Sequence, residues 1–204
     1  MENVNITRLL LKHAQQVAEL HISGIGTGFI SSLGINFVTA LYEAIAESEC
    51  GFGLVAERDN KVIGFAAFTT DLSALYRSVI FKNGLKFAFL LARKMFSLRT
   101  IKRVFETLFY PARIKKSNLP SADFLSMVIS EEARGKGLAT MLVKKGFAEC
   151  AQRGIEKLKI LAAIDIEPIN KMYEKFGFDL VGRIDSHGIA SNVYVVGTNH
   201  FEKK

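Results

Sequence analysis

The chain of 204 residues has a globular composition, with 49% hydrophobic and 23% charged residues, and it is long enough to form a sizeable core. This composition excludes a disordered or low-complexity protein, and no run of about 20 apolar residues predicts a membrane span. Cys50 and Cys150 lack CxxC or Cys/His spacing, which argues against a disulfide framework and a zinc site, and no other metal is expected. Since the N-terminus lacks the pattern of a signal peptide, we expect a cytoplasmic protein with a single domain over residues 1–204.

The first 70 residues alternate between strand and helix patterns. Apolar periodicity and turn residues predict, in order, a strand over 5–11, a helix from about residue 14, a glycine-broken loop or short helical turns over 24–34, a helix over 37–45, and a hairpin of 51–57 with 62–69. In the first of these helices, Val17, Ala18 and His21 share one face.

The segment 72–116 is strongly basic. Between Arg77 and Lys116 it contains eleven Lys or Arg residues and one acid, Glu106, for a net charge of +10 against +7 for the whole chain. Its pattern predicts helical stretches over 74–83, 85–96 and 100–109. We consider three interpretations: binding of a diphosphate or other anionic acceptor, contact with an anionic membrane surface, and a solvated cover over the sheet. Nucleic acid is not expected, because no binding motif accompanies the charge.

The last third of the chain returns to alternating elements. The predicted segments are a strand from residue 124, a helix from residue 137, a strand over 157–164, a helix over 168–176, and a hairpin of 179–184 with 191–196. Strands separated by helices that cover both faces of a sheet predict a three-layer α/β/α fold.

The most informative motif joins the strand at Phe124 to the helix that follows. It carries the sequence Arg134-Gly135-Lys136-Gly137-Leu138-Ala139. Glycines let backbone approach a ligand closely, and the first turn of a helix offers unpaired N–H groups and partial positive charge. The motif therefore favours binding of a pyrophosphate, with Arg134 and Lys136 adding full charges. A surface turn with two solvated cations is the alternative.

Two motifs resemble those of the GCN5-related N-acetyltransferases (GNAT). Arg134-x-x-Gly137-x-Ala139 is similar to the acyl-CoA signature of that family, and the run from Tyr173 to Phe178 is similar to its tyrosine-containing helix and Gly-Phe turn. The resemblance covers nearly the whole chain except the basic insert. It implies a three-layer α/β/α fold around a mixed, mostly antiparallel sheet. It also implies transfer of an acetyl group from acetyl-CoA to a primary amine by direct attack.

The resemblance assigns roles at the cofactor site. Tyr173 is expected to be the general acid that protonates the departing thiolate, although it could also fill space beside Phe176 and Phe178. Ile166 stands where many relatives have Asn, which implies weaker cofactor affinity. The residues expected to bind the cofactor are Met127, Val128 and Ile129 along the pantetheine arm, Arg134, Gly135, Lys136, Gly137, Leu138 and Ala139 around the pyrophosphate, and Asn170. An amide at or near Val128 is also expected to face the thioester oxygen.

The acceptor side is less sharply defined. Phe29, Ser31 and Ser32 are expected to line a pocket for a polar small molecule, with His187 nearby, whereas a tight structural loop is an equal alternative. Candidates for a general base acting through water are Asp123, Ser126 and Asp165, each of which also fits a turn cap or an edge position. The glycine-rich loop and the basic insert resemble bacterial acetyltransferases of surface-polysaccharide gene sets. This implies a small, anionic acceptor such as a nucleotide- or lipid-linked amino sugar.

Two other functions stay open. The chain could be a catalytically degenerate acyl-CoA-binding module, which Ile166 and the missing base would fit. It could also bind an anionic membrane surface through the basic insert. The sequence leaves the oligomeric state open, with a homodimer as one option.

Overall fold

The structure is a computed structural model that describes residues 4–26, 28–92, 119–186 and 189–201. In these ranges the main elements are β1 (Asn5–Arg8), α1 (Ala14–Gly24), α2 (Phe29–Ser32), α3 (Ile35–Ala46), β2 (Gly51–Arg58), β3 (Lys61–Thr69), α4 (Leu72–Ala92), β4 (Asp123–Ile129), α5 (Leu138–Gln152), β5 (Lys157–Ala163), α6 (Glu167–Lys175), β6 (Asp179–Ser186) and β7 (Ile189–Gly197). Short 3-10 turns lie at Leu11–His13, Glu131–Ala133 and Thr198–Phe201.

The strands form one mixed sheet in the order β1-β2-β3-β4-β5-β7-β6. Neighbouring strands are antiparallel except for β4 and β5, which are parallel. The hairpin of β2 and β3 turns at Asp59 and Asn60, both at positive φ, as two-residue hairpin turns favour. The predicted mixed, mostly antiparallel sheet is confirmed.

Helices cover both faces of this sheet. Because side chains alternate along a strand, Val55 and Phe65 face α1 and α3, whereas Phe68 and Phe124 face α5 and α6. Helix α5 lies so close to the sheet that a Cβ at Gly146 would overlap the Phe68 ring. The predicted three-layer α/β/α arrangement is confirmed.

The basic insert begins with one helix where the sequence predicts two. Helix α4 runs through Gly84 from Leu72 to Ala92, because Leu75 packs against the helices on the sheet and Phe87 packs against Ala40 and Ala44 of α3. These contacts offset the helix penalty of about 1 kcal/mol that a glycine carries. No helix in the described part of the chain combines the length and apolar character needed to cross a membrane. The predicted helix over 100–109 and His187 lie outside the described residues.

Candidate active site

The sheet opens between β4 and β5. Their parallel pairing has one register pair, Asp123 with Lys159, whereas β5 pairs with β7 over its whole length from Lys157 to Ala163. From Phe124 onward, the edge of β4 that faces β5 therefore has no ladder partner within the described ranges. Unpaired backbone groups on a strand edge can pair with an extended ligand as an added strand would. Met127, Val128 and Ile129, predicted to bind the pantetheine arm, lie on this stretch.

A β-bulge in β4 changes the direction of two side chains at this opening. Phe124 lies opposite Phe68 and Ser126 lies opposite Ala67, so Leu125 is the extra residue. Because the bulge breaks the alternation, Leu125 and Ser126 both line the cavity on the α1 and α3 side of the sheet. Phe124 points to the other side, into the core beneath α5.

The glycine turn lies at the end of the same strand. Gly135 and Gly137 have φ angles of +74° and +73°, which L side chains rarely adopt, and open space surrounds both Cα atoms. Gly137 is the N-cap of α5, and no side chain caps the N–H groups of the first turn. Arg134 and Lys136 are exposed and donate to the backbone oxygens of Ile129 and Glu132, at 3.2 and 2.8 Å. The first turn of α5 is thus an exposed, positively charged end of a helix, as predicted for an anion site.

Two of the residues predicted around the pyrophosphate contribute backbone rather than side chains. Leu138 is buried in the core beneath α5, and Ala139 is half-buried. At these positions the N–H group is the only group free to meet an anion, because the first four N–H groups of a helix have no intrahelical acceptor.

Tyr173 lies on α6 beside the closed end of the opening. Its ring contacts Phe124, Phe178 and Tyr194, with centroids 6.3, 5.3 and 5.9 Å apart, and its side chain is 6% exposed. Burial, with a smaller contribution from the nearby Asp123 carboxylate, raises the pKa of the phenol, which is therefore protonated at neutral pH. Within the described part of the chain its hydroxyl forms no hydrogen bond. The position is compatible with both interpretations of Tyr173: a side chain that packs against Phe178, and a phenol that can donate a proton.

A buried ion pair closes the opening at its narrow end. Lys159 Nζ lies 3.2 Å from Asp123 Oδ2 and donates to the carbonyl oxygen of Pro120 at 2.7 Å. Burial raises the pKa of Asp123, and Lys159 opposes that shift. A carboxylate committed to a buried lysine is a poor candidate for the general base, so we assign Asp123 to holding β4 and β5 together. Of the other two base candidates, Asp165 is exposed in the turn after β5 and Ser126 lines the cavity.

Solved structures that are similar to this fold include several acetyltransferases. A Desulfovibrio desulfuricans protein assigned to the GNAT family has a TM-score of 0.63 at 13% identity, covering 96% of this chain and 99% of that chain. An N-acetyltransferase from Staphylococcus aureus Mu50 has a TM-score of 0.60 at 15% identity, with 97% and 99% covered. Arabidopsis thaliana NAA60, in complex with acetyl-CoA, has a TM-score of 0.59 at 11% identity, with 97% and 99% covered. At these identities the likeness shows the fold.

The sequence match is to the acetyltransferase (GNAT) family, over residues 111–178. This span contains β4, the glycine turn, α5, β5 and the helix that carries Tyr173. Residues 111–178 therefore match the GNAT acetyltransferase family. No curated protein sequence matches it.

Within the GNAT domain, Asn170 has a structural position. Its amide donates to the backbone oxygens of Ala163 and Ile166, and its Oδ1 accepts from Asn192 and from the Tyr194 hydroxyl at 2.8 and 2.9 Å. These four bonds use the full capacity of an Asn side chain. In this structure Asn170 fixes α6, and with it Tyr173, to β5 and β7, and its contact with the cofactor stays a prediction.

The loop after α1 fits the second of its two interpretations, a tight structural loop. Phe29 lines a cavity, but the hydroxyls of Ser31 and Ser32 donate to the backbone oxygens of Ile25 and Phe29 at 2.6 and 2.5 Å. Both serines thus stabilise the loop, and the cavity that Phe29 lines is mainly apolar. Serines one turn from a free carbonyl often bond locally, which a sequence pattern does not distinguish from ligand binding.

The fold also contains a polar chain of hydrogen-bonded side chains that the sequence does not reveal. His21 Nδ1 and the Tyr42 hydroxyl share a hydrogen bond of 2.6 Å, and the same hydroxyl lies 2.9 Å from Ser126 Oγ. Burial lowers the pKa of His21 to about 4, so its imidazole is neutral at pH 7. The placement of His21 on the buried face of α1 was the available signal, but its partners come from α3 and β4.

Proposed function

We propose that this GNAT domain transfers an acetyl group from acetyl-CoA to the primary amine of a small molecule. The observation that carries the proposal is the unpaired edge of β4, which runs from the buried Tyr173 to the uncapped helix end at Gly137. Each part meets one need of the reaction: the edge holds an extended arm, the helix end holds a pyrophosphate, and the phenol donates a proton. Since acetyl-CoA is made inside cells, the reaction implies a cytoplasmic site of action.

Backbone groups would hold the cofactor. The N–H groups of Leu138, Ala139 and the residue after it face the pyrophosphate, with the charges of Arg134 and Lys136 close by. The β4 edge at Met127 to Ile129 pairs with the pantetheine arm, and an amide near Val128 stabilises the oxyanion. Bound acetyl-CoA supplies a thioester that an amine attacks directly.

Tyr173 would act as a hydrogen-bond donor to the sulfur. Its raised pKa keeps the proton on the phenol until negative charge develops on the departing thiolate. A thiol has a reference pKa of about 8.5, so complete transfer from a buried phenol is uphill, and stabilisation by the hydrogen bond comes first.

The acceptor would carry an anionic group in addition to its amine, as a nucleotide-linked or lipid-linked amino sugar does. The basic segment supports this part of the proposal, since its described portion places Arg77, Lys82 and Lys86 on α4, a helix that contributes other residues to the cavity wall. Lys86 pairs with Glu43 at 2.5 Å, whereas Arg77 and Lys82 are exposed.

Replacement of Tyr173 with Phe tests the reaction. We expect Tyr173→Phe to lower kcat about a hundredfold or more, the usual contribution of general acid catalysis, and to leave the Kd for CoA unchanged. Turnover is measured with an amine and amino-sugar panel, and Kd by calorimetry. Tyr194→Phe is the matched comparison, because it removes a buried hydroxyl beside Tyr173 that only helps to position α6. It should lower stability and reduce turnover much less than Tyr173→Phe does.

Other outcomes separate the rival functions. Unchanged turnover in Tyr173→Phe would remove this residue from the mechanism. Saturable CoA binding without turnover on any amine would favour an acyl-CoA-binding module, the alternative that Ile166 fits. Absence of CoA binding would refute the proposal and leave the glycine turn as a structural element.

A second candidate function is contact with an anionic membrane surface. It is favoured by the outer side of α4, where Phe81, Leu85 and Phe89 are 93%, 91% and 70% exposed at a spacing of four residues. Large apolar side chains next to exposed Lys82 have the character of an interfacial helix.

A further inference from the structure

The GNAT domain encloses an apolar cavity of about 370 Å³ between its helices and the sheet. Its walls come from α2, α3 and α4, including Phe29, Leu33, Leu41 and Val79, and its floor is the β4 bulge at Leu125 and Ser126. An apolar cavity of about 150 Å³ already binds benzene, so this space can hold a chain or ring of considerable size. It lies within the range of small-molecule sites, about 300–1,000 Å³.

Three of the four polar side chains on the cavity wall are paired with one another. The hydroxyl of Tyr42 bonds to both His21 and Ser126, which are two of the other polar residues on the cavity surface. Water is retained in a cavity when it finds two to four polar partners, and these groups satisfy one another instead. The cavity therefore selects a hydrocarbon group rather than a charged or hydroxylated one.

The position of the cavity relates it to the reaction. The bulge turns Leu125 and Ser126 toward the cavity, whereas the preceding Phe124 packs against Tyr173 on the opposite face of the sheet. If Tyr173 faces the departing sulfur, the cavity approaches the reacting carbon from the other side, where the amine must arrive. The charge of the Asp123 carboxylate contributes to the raised pKa of Tyr76, on the cavity wall, and of Tyr173. Both tyrosines are thus close to Asp123, and the cavity side and the Tyr173 side of the sheet meet at the closed end of the opening.

From this arrangement we infer that the cavity binds the apolar tail of an amphiphilic amine acceptor, with the amine at the Leu125–Ser126 end. The inference rests on the proposed acetyl transfer, and it names the substrate class: an amine attached to an alkyl chain, an isoprenoid or a similar hydrocarbon group. Helix α4, the first part of the basic insert, forms the outer wall. The insert thus makes a substrate site that the sheet and the other helices would leave open.

A series of n-alkylamines from butylamine to decylamine tests the inference. With CoA present, the Kd measured by calorimetry should fall about fourfold for each methylene that enters the cavity. The KM for acetyl transfer should follow the same trend. An acyl-CoA series from acetyl to octanoyl, run in parallel, should lack such a trend.

Two substitutions place the effect in the cavity. Val79→Phe from α4 and Leu41→Phe from α3 fill the space from different walls, and each should weaken octylamine binding about sixteenfold, the effect of displacing two methylenes. Butylamine binding should not change. Leu85→Phe adds a ring to the exposed side of α4 and should leave the whole series unchanged. Thermal melts identify a variant that fails to fold, and the other variant then carries the test.

Three results would overturn the inference: equal affinity for butylamine and decylamine, a chain-length trend in the acyl-CoA series instead, or a trend in the amines that neither cavity variant alters. Failure of the proposed function is seen separately. If alkylamines bind with the expected trend but are not acetylated, the cavity assignment stands and the proposed reaction is refuted. If short amines are acetylated and affinity shows no trend with chain length, the reaction stands and the cavity assignment is refuted.

Discussion

At the scale of single residues, His21 links the stability of the fold to pH. It stacks near Phe65 and bonds to Tyr42 in the interior, and burial lowers its pKa from 6.5 to about 4. In the unfolded chain the imidazole takes up a proton near pH 6.5, but in the folded protein it stays neutral down to about pH 4. Its contribution to stability is therefore present above pH 6.5 and is lost as the pH falls toward 4.

A pH-dependent unfolding experiment tests this linkage. Between pH 7.5 and 4.5 the wild-type protein should lose about 2 to 3 kcal/mol more of its unfolding free energy than His21→Gln, which lacks the titrating group. Urea titrations at both pH values measure the difference. Other groups that titrate in this range, such as His13, are common to both proteins and cancel in the comparison. Parallel pH curves would show that His21 is solvated in solution.

Two residues mark what local sequence can predict and what it cannot. The burial of Tyr173 next to Phe178 follows from a short run of neighbouring residues, and the sequence predicts its place correctly. Asn170 lies only three residues away, but its partners Asn192 and Tyr194 come from β7. A hydrogen-bond network between distant segments leaves no periodic pattern in the sequence. The residues around Asn170 therefore suggest only a ligand contact and do not reveal these partners.

At the scale of elements, helix α5 offers a matched comparison between its two ends. Gly137 at the start and Gly154 after the end have φ angles of +73° and +76°, and a Cβ would meet nothing within 4 Å at either site. Alanine at either position should therefore cost roughly 1 kcal/mol of unfolding free energy through backbone strain alone. Only Gly137 sets the direction of the N–H groups proposed to hold the pyrophosphate.

We expect Gly137→Ala to raise the Kd for CoA about tenfold and Gly154→Ala to leave it unchanged, because relief of strain at residue 137 rotates the first turn of α5. Urea unfolding verifies that the two variants lose similar stability, and calorimetry with CoA gives the affinities. A wild-type Kd in Gly137→Ala would mean that the helix end does not hold the pyrophosphate.

The elements also differ in how far sequence predicts them. Local patterns predict the hairpin of β2 and β3 and the junction of β4 with α5, since alternation and turn residues are properties of neighbours. The bulge at Leu125 and the separation of β4 from β5 are not predictable this way, because register is decided by pairing between distant strands. Helix α4 was divided in the prediction at Gly84, whereas packing of Phe87 on α3 keeps it continuous.

At the scale of the whole molecule, the two faces of the sheet have different tasks. The face beneath α5 carries the larger aromatic core, with Phe52, Phe68 and Phe124 stacked in a row, and it supports Tyr173. The opposite face carries the cavity, the polar chain from His21 to Ser126, and helix α4. Cofactor and acceptor would thus meet through the opening of the sheet, which belongs to both faces.

Helix α4 is apolar on both sides, which distinguishes it from an ordinary surface helix. Its inner side lines the cavity, and its outer side exposes Phe81, Leu85 and Phe89 beside Lys82. Ile80 and Gly84 line both the cavity and a shallow depression over residues 80–86 on the helix. An amphiphilic acceptor delivered from a lipid surface would reach the cavity by passing along this helix. Contact with a membrane surface and an amphiphilic substrate class therefore support each other.

Flotation with lipid vesicles tests the membrane contact. The protein should float with vesicles rich in phosphatidylserine at low salt and less at high salt, because each basic residue near an anionic surface contributes about 1 kcal/mol that salt screens. Replacement of Phe81, Leu85 and Phe89 with Ser should abolish flotation. The control replaces Leu180 and Val181 with Ser, two residues on β6 of about half exposure, and should float like the wild type. If the wild-type protein does not float with the vesicles at low salt, the acceptor must reach the cavity from water.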